Sequence, residues 1–309
     1  MSIKITKIKG LEIDPGKGNA FAYDTPDAMP KAHQNCLVVG PRGSGKTVAT
    51  VNLVERMGYD RVFIISPSVA SNRSVMDRLR IDPDDVYPEP NATALADIKK
   101  KIEDIRDEYE EFEHDLERWK KFMHNLKHSD NTLGLFTDDM LDFFDGREFV
   151  KPIWKYGMKD GKPRRPMLAL ILDDCVGSDL YTRGIRQLNA FTIFHRHLGQ
   201  LHGKEGGAIG CSLYFLVQSY KCSNGGGGLT KCIRNNTTSL IIFKTKSEKE
   251  LEEISDECSG EVSKDDFMKL YDIAINKDKH SFLFIDLHKK DIHPSGFRRN
   301  LDEFLIPTA

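Results

Sequence analysis

The sequence predicts an α/β fold in which helices flank a mostly parallel central sheet. Three observations support this prediction. Short apolar runs recur along the chain, as expected for strands that are buried on both faces. A complete Gly-x-x-x-x-Gly-Lys-Thr motif connects the first of these runs to a helical pattern. A later apolar run, residues 167–172, ends in two adjacent carboxylates, Asp173 and Asp174.

The glycine motif lies in the setting that a phosphate-binding loop requires. Residues 36–39 predict a buried strand, and residues 46–57 predict a helix that stops at Gly58. Glycines let successive backbone N–H groups point at phosphate oxygens, and the helix N-terminus adds partial positive charge. The residues predicted to bind the phosphates are Gly40, Pro41, Arg42, Gly43, Ser44, Gly45, Lys46 and Thr47.

Two residues at the end of this motif have separate expected roles. The ammonium group of Lys46 can reach the β- and γ-phosphates, and the hydroxyl of Thr47 can ligate Mg²⁺. The helix that follows places Val48, Val51 and Val54 on one side. ATP and Mg²⁺ are therefore the expected cofactors.

The two aspartates are expected to supply the acidic half of the site. After residues 61–66, which predict the second core strand, residues 167–172 predict a strand whose carboxyl end carries them. Ligands bind at that end of the strands in an open α/β sheet. In such enzymes the first carboxylate, here Asp173, holds Mg²⁺, and the second, here Asp174, can orient and polarise the attacking water.

A polar residue follows the next predicted strand, and a basic loop follows it. Residues 211–217 predict a buried strand that ends in Gln218, whose amide could sense the γ-phosphate or hold the water. The glycine-rich loop that comes next carries Lys221 and Lys231 around residues 225–228, and it could contact DNA phosphates. Further strands are predicted at residues 239–246 and 281–287.

The order of these motifs resembles the genome-packaging ATPases of large double-stranded DNA viruses, of the poxvirus, iridovirus and giant-virus types. These belong to the FtsK–HerA superfamily of P-loop NTPases. The resemblance covers residues 33–78 and 166–290, including "FHRHLG" at 194–199 and "IRNNTTSLIIF" from residue 233. It implies a RecA-like sheet in which the strand before Gln218 lies between the phosphate-loop strand and the Asp173 strand. It also implies a homo-oligomeric ring, with ATP at subunit interfaces and duplex DNA in the pore.

The resemblance extends to individual residues. It implies phosphate and Mg²⁺ contacts for Lys46 and Thr47, Mg²⁺ binding for Asp173, water activation by Asp174 and a sensor role for Gln218. Asp174 is one methylene shorter than the glutamate that many cellular members carry. Arg196 and Arg234 stand near motifs expected at the ring interface, so both are candidates for an arginine supplied to a neighbouring subunit.

The sequence predicts that the chain is divided into three structural units. Residues 1–30 form an N-terminal extension, residues 31–79 and 166–309 form the ATPase core, and residues 80–165 form a helical insertion with a short second helix near 137–144. Within the insertion, apolar residues alternate in steps of three and four, which predicts a long helix packed along a partner. They are Leu95, Ile98, Ile102, Ile105, Tyr109, Phe112, Leu116, Trp119, Met123 and Leu126. This helix could fold back over its own core, or it could dock on a neighbouring subunit or a capsid protein.

Composition limits the partners and the compartment. The net charge of −2 over 309 residues shows no global basic surface, so DNA would be met by local basic loops. No apolar run is long enough to span a membrane, and the first residues, MSIKITKIKG, lack a signal-peptide core. Six cysteines without CxxC pairs suggest reduced thiols, which favours the host cytoplasm at the viral assembly site. A zinc site formed by Cys222 and Cys232 is a weaker alternative to free thiols at these two positions.

The function predicted from these features is an ATP-hydrolysing motor that translocates double-stranded DNA and packages a viral genome. An ATP-regulated assembly or scaffold factor without translocation is the alternative, and the long inserted helix favours it slightly. A small-molecule kinase is a third possibility. A kinase needs neither a second acid for hydrolysis nor a sensor glutamine, and the sequence predicts both.

Overall fold

The computed structural model describes residue 23 and residues 25–69, 77–128, 138, 150–202, 207–221, 229–258 and 262–307. The strands are β1 (Asn35–Val39), β2 (Arg61–Ile65), β3 (Val86–Tyr87), β4 (Met158–Lys159), β5 (Lys162–Pro163), β6 (Leu168–Asp173), β7 (Ser212–Val217), β8 (Ser239–Phe243), β9 (Phe282–Asp286), β10 (Phe297–Arg299) and β11 (Glu303–Leu305). The α-helices are α1 (Lys46–Met57), α2 (Ala92–His128), α3 (Ile185–Phe194), α4 (Lys231–Asn235), α5 (Glu248–Cys258) and α6 (Lys264–Ile275).

The central sheet has the order β11-β10-β9-β8-β1-β7-β6-β2-β3 among the described residues. The strands from β8 to β3 in that order are parallel to their neighbours. The three strands β9, β10 and β11 continue the sheet as antiparallel neighbours beyond β8. β7 pairs with β1 on one side and β6 on the other, which confirms the predicted α/β fold and the predicted place of the strand before Gln218.

Alternation along the parallel strands divides the core between the two faces of the sheet. In β1, Leu37 and Val39 pack on the face covered by α2, α3, α5 and α6. Cys36 and Val38 pack on the other face, against α1. α1 ends at Gly58, which has a left-handed φ of 73° and donates to the carbonyl of Glu55, as the sequence predicts.

The predicted insertion at residues 80–165 shares the core of the ATPase unit. β3 pairs with β2 and so extends the main sheet. α2 is 37 residues long, and its first half joins the same apolar cluster as the sheet. The apolar seam of this half is therefore covered by the chain's own core, as the first of the two alternatives expects. The predicted seam is buried at Leu95, Ile98, Ile102, Ile105, Tyr109 and Leu116.

The far end of α2 departs from the predicted seam. Leu126 is 51% exposed, whereas Phe122, which the predicted seam does not include, is buried. The predicted short helix near residues 137–144 lies outside the described residues, apart from residue 138. Among the described residues, no helix combines the length and the apolar character that a membrane span requires.

The C-terminal region of the chain contacts residues 25–28, which belong to the predicted N-terminal extension. Lys290 Nζ donates to the carbonyls of Thr25 (3.0 Å) and Pro26 (2.8 Å). Arg298 Nη1 donates to the carbonyl of Ala28 (2.5 Å), and its guanidinium is almost fully buried. The segment is therefore fixed beside α1 by cationic donors from one edge of the sheet.

Candidate phosphate-binding and catalytic site

The glycine loop curls over the carboxyl ends of β1 and β8. Gly43 and Gly45 have left-handed φ angles of 77° and 105°, which side chains other than glycine rarely adopt. A Cβ atom at Gly40 would lie 2.7 Å from Cβ of Phe243 on β8, so only glycine allows this close approach. Gly45 is also the N-cap of α1. Its position directs the amino end of the helix at the space enclosed by the loop.

Lys46 is held over this loop by backbone atoms alone. Its Nζ donates to the carbonyls of Gly40 (2.7 Å) and Pro41 (3.1 Å). Burial lowers the pKa of Lys46, while the nearby carboxylates of Asp173 and Asp174 act to raise it. Lys46 forms no ion pair within the described part of the chain. Its charge therefore remains available for phosphate oxygens.

Thr47 and Asp173 place two hard oxygen ligands side by side. Thr47 Oγ1 donates to Asp173 Oδ2 at 3.5 Å, and Asp173 is buried. Burial and the neighbouring Asp174 raise the pKa of Asp173, partly offset by Lys46 and by the Thr47 hydrogen bond. Mg²⁺ prefers such oxygens and completes its shell with water and phosphate. These two residues therefore fit the predicted magnesium site.

Asp174 and Gln218 meet because β6 and β7 are neighbours. Gln218 Nε2 donates to Asp174 Oδ1 at 3.3 Å. Asp174 is exposed and has a left-handed φ of 54°, an uncommon conformation outside glycine that often occurs at functional sites. The carboxylate thus faces solvent and is oriented by an amide. A water molecule could approach it there.

These residues line one cleft with a volume of about 550 Å³. The structure brings together the phosphate loop, the predicted metal ligands, the predicted base and the predicted sensor. The cleft is also lined by three residues that the sequence analysis did not single out for the site, Val48, Ser68 and Leu216. The sequence predicts Val48 on the same side of α1 as Val51 and Val54, but Val48 is 59% exposed and the other two are buried.

Arg234 is held by contacts within its own chain. Its Nε donates to Glu257 Oε2 (3.0 Å), and its Nη1 donates to the carbonyl of Leu229 (2.7 Å). The guanidinium lies over the ring of Tyr220, and the side chain is only 10% exposed. Arg234 could reach a neighbouring nucleotide only if these contacts broke.

Arg196 has a different environment. It lies exposed in a 3₁₀ turn, His195–His197, and forms no ion pair within the described part of the chain. The carbonyl of His195 accepts from the backbone N–H of Cys211, just before β7 begins. The turn is therefore at the amino end of β7, whereas the phosphate cleft is at its carboxyl end. Arg196 is therefore remote from the phosphate cleft of its own chain.

The structure describes only part of the predicted DNA-contacting loop. Residues 225–228 lie outside the described residues. Lys221 Nζ lies 3.6 Å from Glu253 Oε2 and 3.5 Å from Glu257 Oε1, so its charge is neutralised internally. Lys231 is exposed at the start of α4. Cys222 is likewise outside the described residues, which contain no group of three or more side chains able to hold a metal ion.

Two residues near the site carried no recognisable sequence signal. His280 Nδ1 donates to the carbonyl of Ser44 at 3.0 Å, which connects the phosphate loop to the turn before β9. Glu250 accepts from Ser219 Oγ (2.8 Å) and from the backbone N–H of Tyr220 (2.7 Å). It thereby anchors the segment that follows Gln218. Neither residue belongs to a local motif, since each contact joins distant parts of the chain.

Comparisons with known proteins give distant similarities. No protein-family model matches the chain, and no curated protein matches it. Among solved structures, the pCW3 conjugation coupling protein TcpA with ATPγS is similar to this chain with a TM-score of 0.41 and 15% sequence identity. The match covers 84% of this chain and 58% of TcpA. VirB4 of Thermoanaerobacter pseudethanolicus has a TM-score of 0.41 and 13% identity, covering 82% of this chain and 87% of VirB4.

A genome-packaging NTPase, the kind of protein that the motif order resembles, is also among these structures. It is B204 of Sulfolobus turreted icosahedral virus 2 with ATPγS, with a TM-score of 0.37 and 13% identity. The match covers 82% of this chain and 91% of B204. All three similarities are weak.

Proposed function

We propose that this chain is an ATP-hydrolysing motor that translocates double-stranded DNA and packages a viral genome. One observation carries the ATPase part. Lys46, Thr47, Asp173, Asp174 and Gln218 converge in one cleft at the carboxyl ends of three adjacent parallel strands. A phosphate loop, a lysine, two magnesium ligands, an oriented carboxylate and an amide are the parts that nucleotide hydrolysis requires.

The residues of the cleft divide the reaction among them. Lys46 and the N–H groups of the loop bind the phosphate oxygens and stabilise the charge that develops on them. Thr47 and Asp173 would hold Mg²⁺, which neutralises charge on the β- and γ-phosphates. Asp174 accepts the proton of the attacking water as its oxygen bonds to the γ-phosphorus. The bond from that phosphorus to the bridging oxygen breaks, and ADP and phosphate leave. Gln218 keeps Asp174 in position.

The DNA-translocating and packaging part of the proposal rests on the motif order, which resembles packaging ATPases. We further propose a homo-oligomeric ring with duplex DNA in its pore, acting at the viral assembly site in the host cytoplasm. Because the protein has a net charge of −2, local basic residues such as the exposed Lys231 would bind the DNA. The scaffold alternative loses its main support, because the first half of α2 is buried in its own core.

The rate of ATP hydrolysis, measured with and without duplex DNA, tests this proposal. We expect duplex DNA to raise the rate, and we expect the increase to shrink as salt rises, because phosphate contacts are screened. Lys46→Ala is the negative control. A rate that ignores DNA at every salt concentration would support the assembly-factor alternative. Phosphate transfer only when a small-molecule acceptor is added would support a kinase.

A further inference from the structure

Glu250 is a buried carboxylate to which the proposed reaction assigns no role. It lies in the first turn of α5 and is only 9% exposed. A carboxylate that loses its hydration in this way must be compensated by hydrogen bonds. An ionised carboxylate can only accept hydrogen bonds, so its donors identify the parts of the chain that it holds together.

The two oxygens of this carboxylate join the segments that follow two different strands. Oε1 accepts from Ser219 Oγ (2.8 Å) and from the backbone N–H of Tyr220 (2.7 Å), just beyond β7. Oε2 accepts from Thr245 Oγ1 (3.0 Å), just beyond β8. β7 and β8 are the two neighbours of β1, the strand that leads into the glycine loop. Glu250 therefore links the carboxyl ends of the strands on both sides of β1.

Gln218 lies between two fixed points of the backbone. Before it, the carbonyl of Val217 accepts from the backbone N–H of Gly40 (3.2 Å), which joins the end of β7 to the glycine loop. After it, the next two residues are held by Glu250. The side chain of Gln218 is exposed, and its one hydrogen bond among the described residues is the 3.3 Å contact with Asp174. The place of this amide thus depends on the backbone contacts at its two flanks.

We propose that Glu250 is a positioning residue for ATP hydrolysis, which holds the segment after β7 so that the amide of Gln218 stays on Asp174. A contact of 3.3 Å is long for a hydrogen bond, so a small shift of the backbone at Gln218 breaks it. Misplacement of a reacting group by about 1 Å can cost about 10²-fold in rate. This inference rests on the proposed function, because it assumes that Asp174 is the base for ATP hydrolysis.

Two substitutions at this position should differ in their effect. Glu250→Ala removes both acceptors. Glu250→Gln keeps Oε1 for the segment after β7 and turns its amide nitrogen toward Thr245, whose hydroxyl can accept a hydrogen bond. We expect Glu250→Ala to lower the single-turnover rate of ATP hydrolysis by roughly 10- to 100-fold, and Glu250→Gln to stay within about threefold of the unaltered chain.

Calorimetric binding of ATP to the full chain separates positioning from a general loss of structure. Glu250 does not line the phosphate cleft, so we expect both variants to bind ATP within about twofold of the unaltered affinity. Urea denaturation of the same samples gives the fraction of folded protein, to which the rates are corrected. The matched control is Glu248→Ala, at an exposed glutamate in the same turn of α5, which should change rate and affinity by less than about twofold.

A double-mutant cycle with Gln218→Ala tests whether Glu250 acts through Gln218. In the Gln218→Ala chain, Glu250→Ala should lower the rate by less than about threefold, because the contact that Glu250 protects is already absent. If Glu250→Ala does not fold, Ser219→Ala takes its place in the cycle. We expect Ser219→Ala to lower the rate by roughly fivefold in the unaltered chain and by less than about twofold in the Gln218→Ala chain.

The outcomes separate this inference from the proposed function. The inference is wrong if folded Glu250→Ala hydrolyses ATP at the unaltered rate, if Glu250→Gln loses as much activity as Glu250→Ala, or if the losses in the cycle multiply. In each of these cases the unaltered chain still hydrolyses ATP, and the proposed function stands. If the unaltered chain hydrolyses no ATP, the proposed function fails and this inference fails with it.

Discussion

Two groups of charged side chains in this protein differ in how their charges are paired. Beside α5, Glu257 accepts from Arg234 Nε and from the hydroxyl of Tyr220, and Lys221 lies 3.5 Å from its other oxygen. In the phosphate cleft, Lys46 donates only to backbone carbonyls. The first group forms ion pairs within the chain, whereas Lys46 forms none within the described part of the chain.

The charges beside α5 therefore stabilise the fold, whereas the charges in the phosphate cleft are available to bind a ligand. A partly buried charge loses hydration, and an ion pair or hydrogen bonds must offset that cost. Glu257 meets this condition inside the protein. In the cleft, burial and the adjacent Asp174 raise the pKa of Asp173, as happens where carboxylates await a cation. Perturbed groups of this kind cluster at functional sites.

The two candidate arginines give the largest expected effect. If exposed Arg196 meets the γ-phosphate of a neighbouring subunit, Arg196→Ala should lower kcat by roughly 10³-fold, the lower end of the effect of such arginines in GTPases. Mixing Arg196→Ala with Lys46→Ala subunits should restore part of the activity. Each kind of subunit then supplies what the other lacks at a shared interface. The measurement is the ATPase rate of the mixed oligomers.

Arg186→Ala is the matched control, because Arg186 is another exposed arginine, on α3. It should leave the rate of the oligomer within about twofold, since exposed substitutions away from special features are usually mild. If no ratio of the two variants recovers activity, Arg196 does not act across an interface. If mixing Arg234→Ala with Lys46→Ala subunits restores activity instead, Arg234 is the arginine that acts across the interface.

Lys46→Ala should lower the rate of ATP hydrolysis by about 10²- to 10³-fold, because one fixed charge at the phosphates is lost. It should also weaken binding of inorganic tripolyphosphate. Both quantities can be compared with those of Lys249→Ala, which removes an exposed lysine from α5. Equal loss in the two variants would mean that general charge, and not the position of Lys46, governs binding.

Arg234→Ala should act on stability. It removes hydrogen bonds to Glu257 and to the carbonyl of Leu229 and leaves Glu257 with fewer partners. We expect the free energy of unfolding to fall by about 1–3 kcal/mol. Urea denaturation of Arg234→Ala and Arg186→Ala gives the comparison. A loss of less than about 0.5 kcal/mol would show that the cluster beside α5 contributes little to the fold.

His33 predicts how stability depends on pH. Burial, together with the nearby charges of His195 and Arg196, lowers the pKa of His33 to about 3. Its unfolded value is about 6.5, so unfolding takes up a proton between these two pH values. The free energy of unfolding should therefore fall as pH falls below about 6.5, by up to about 1.4 kcal/mol per unit.

His33→Gln should reduce this slope between about pH 6 and pH 4.5, measured by urea denaturation at several pH values. Buried His195, whose pKa burial also lowers, remains in both proteins and leaves a residual slope. The slope is the readout because the substitution also changes packing against Tyr23. An unaltered slope would show that His33 is protonated in the folded state.

The phosphate cleft was predictable from sequence because its signals are local. The glycine loop, the Asp173–Asp174 pair and Gln218 each directly follow a buried apolar run. The carboxyl ends of parallel strands meet at one edge of a sheet, so side chains far apart in sequence converge there. Local sequence patterns therefore predicted which residues line the cleft and that they lie together at the carboxyl ends of the strands.

Features that depend on distant pairing were not predictable. Arg234 pairs with Glu257, 23 positions away in the chain, and the sequence around Arg234 does not indicate that partner. A cavity of about 750 Å³ between α1 and the C-terminal strands depends on β9, which pairs antiparallel with β8. The heptad pattern of α2 predicted a buried face, but periodicity does not say what covers that face. The structure shows that its own core covers the first half.

The central claim is that Asp174 acts as the base for ATP hydrolysis in the cleft, and Asp174→Asn tests it most directly. The substitution keeps the size of the side chain and an oxygen for Gln218, but it removes the base. We expect ATP affinity to change by less than about twofold, while the single-turnover rate of hydrolysis falls by about 10²-fold or more. A variant that binds ATP normally and hydrolyses it at the rate of the unaltered chain would contradict the account.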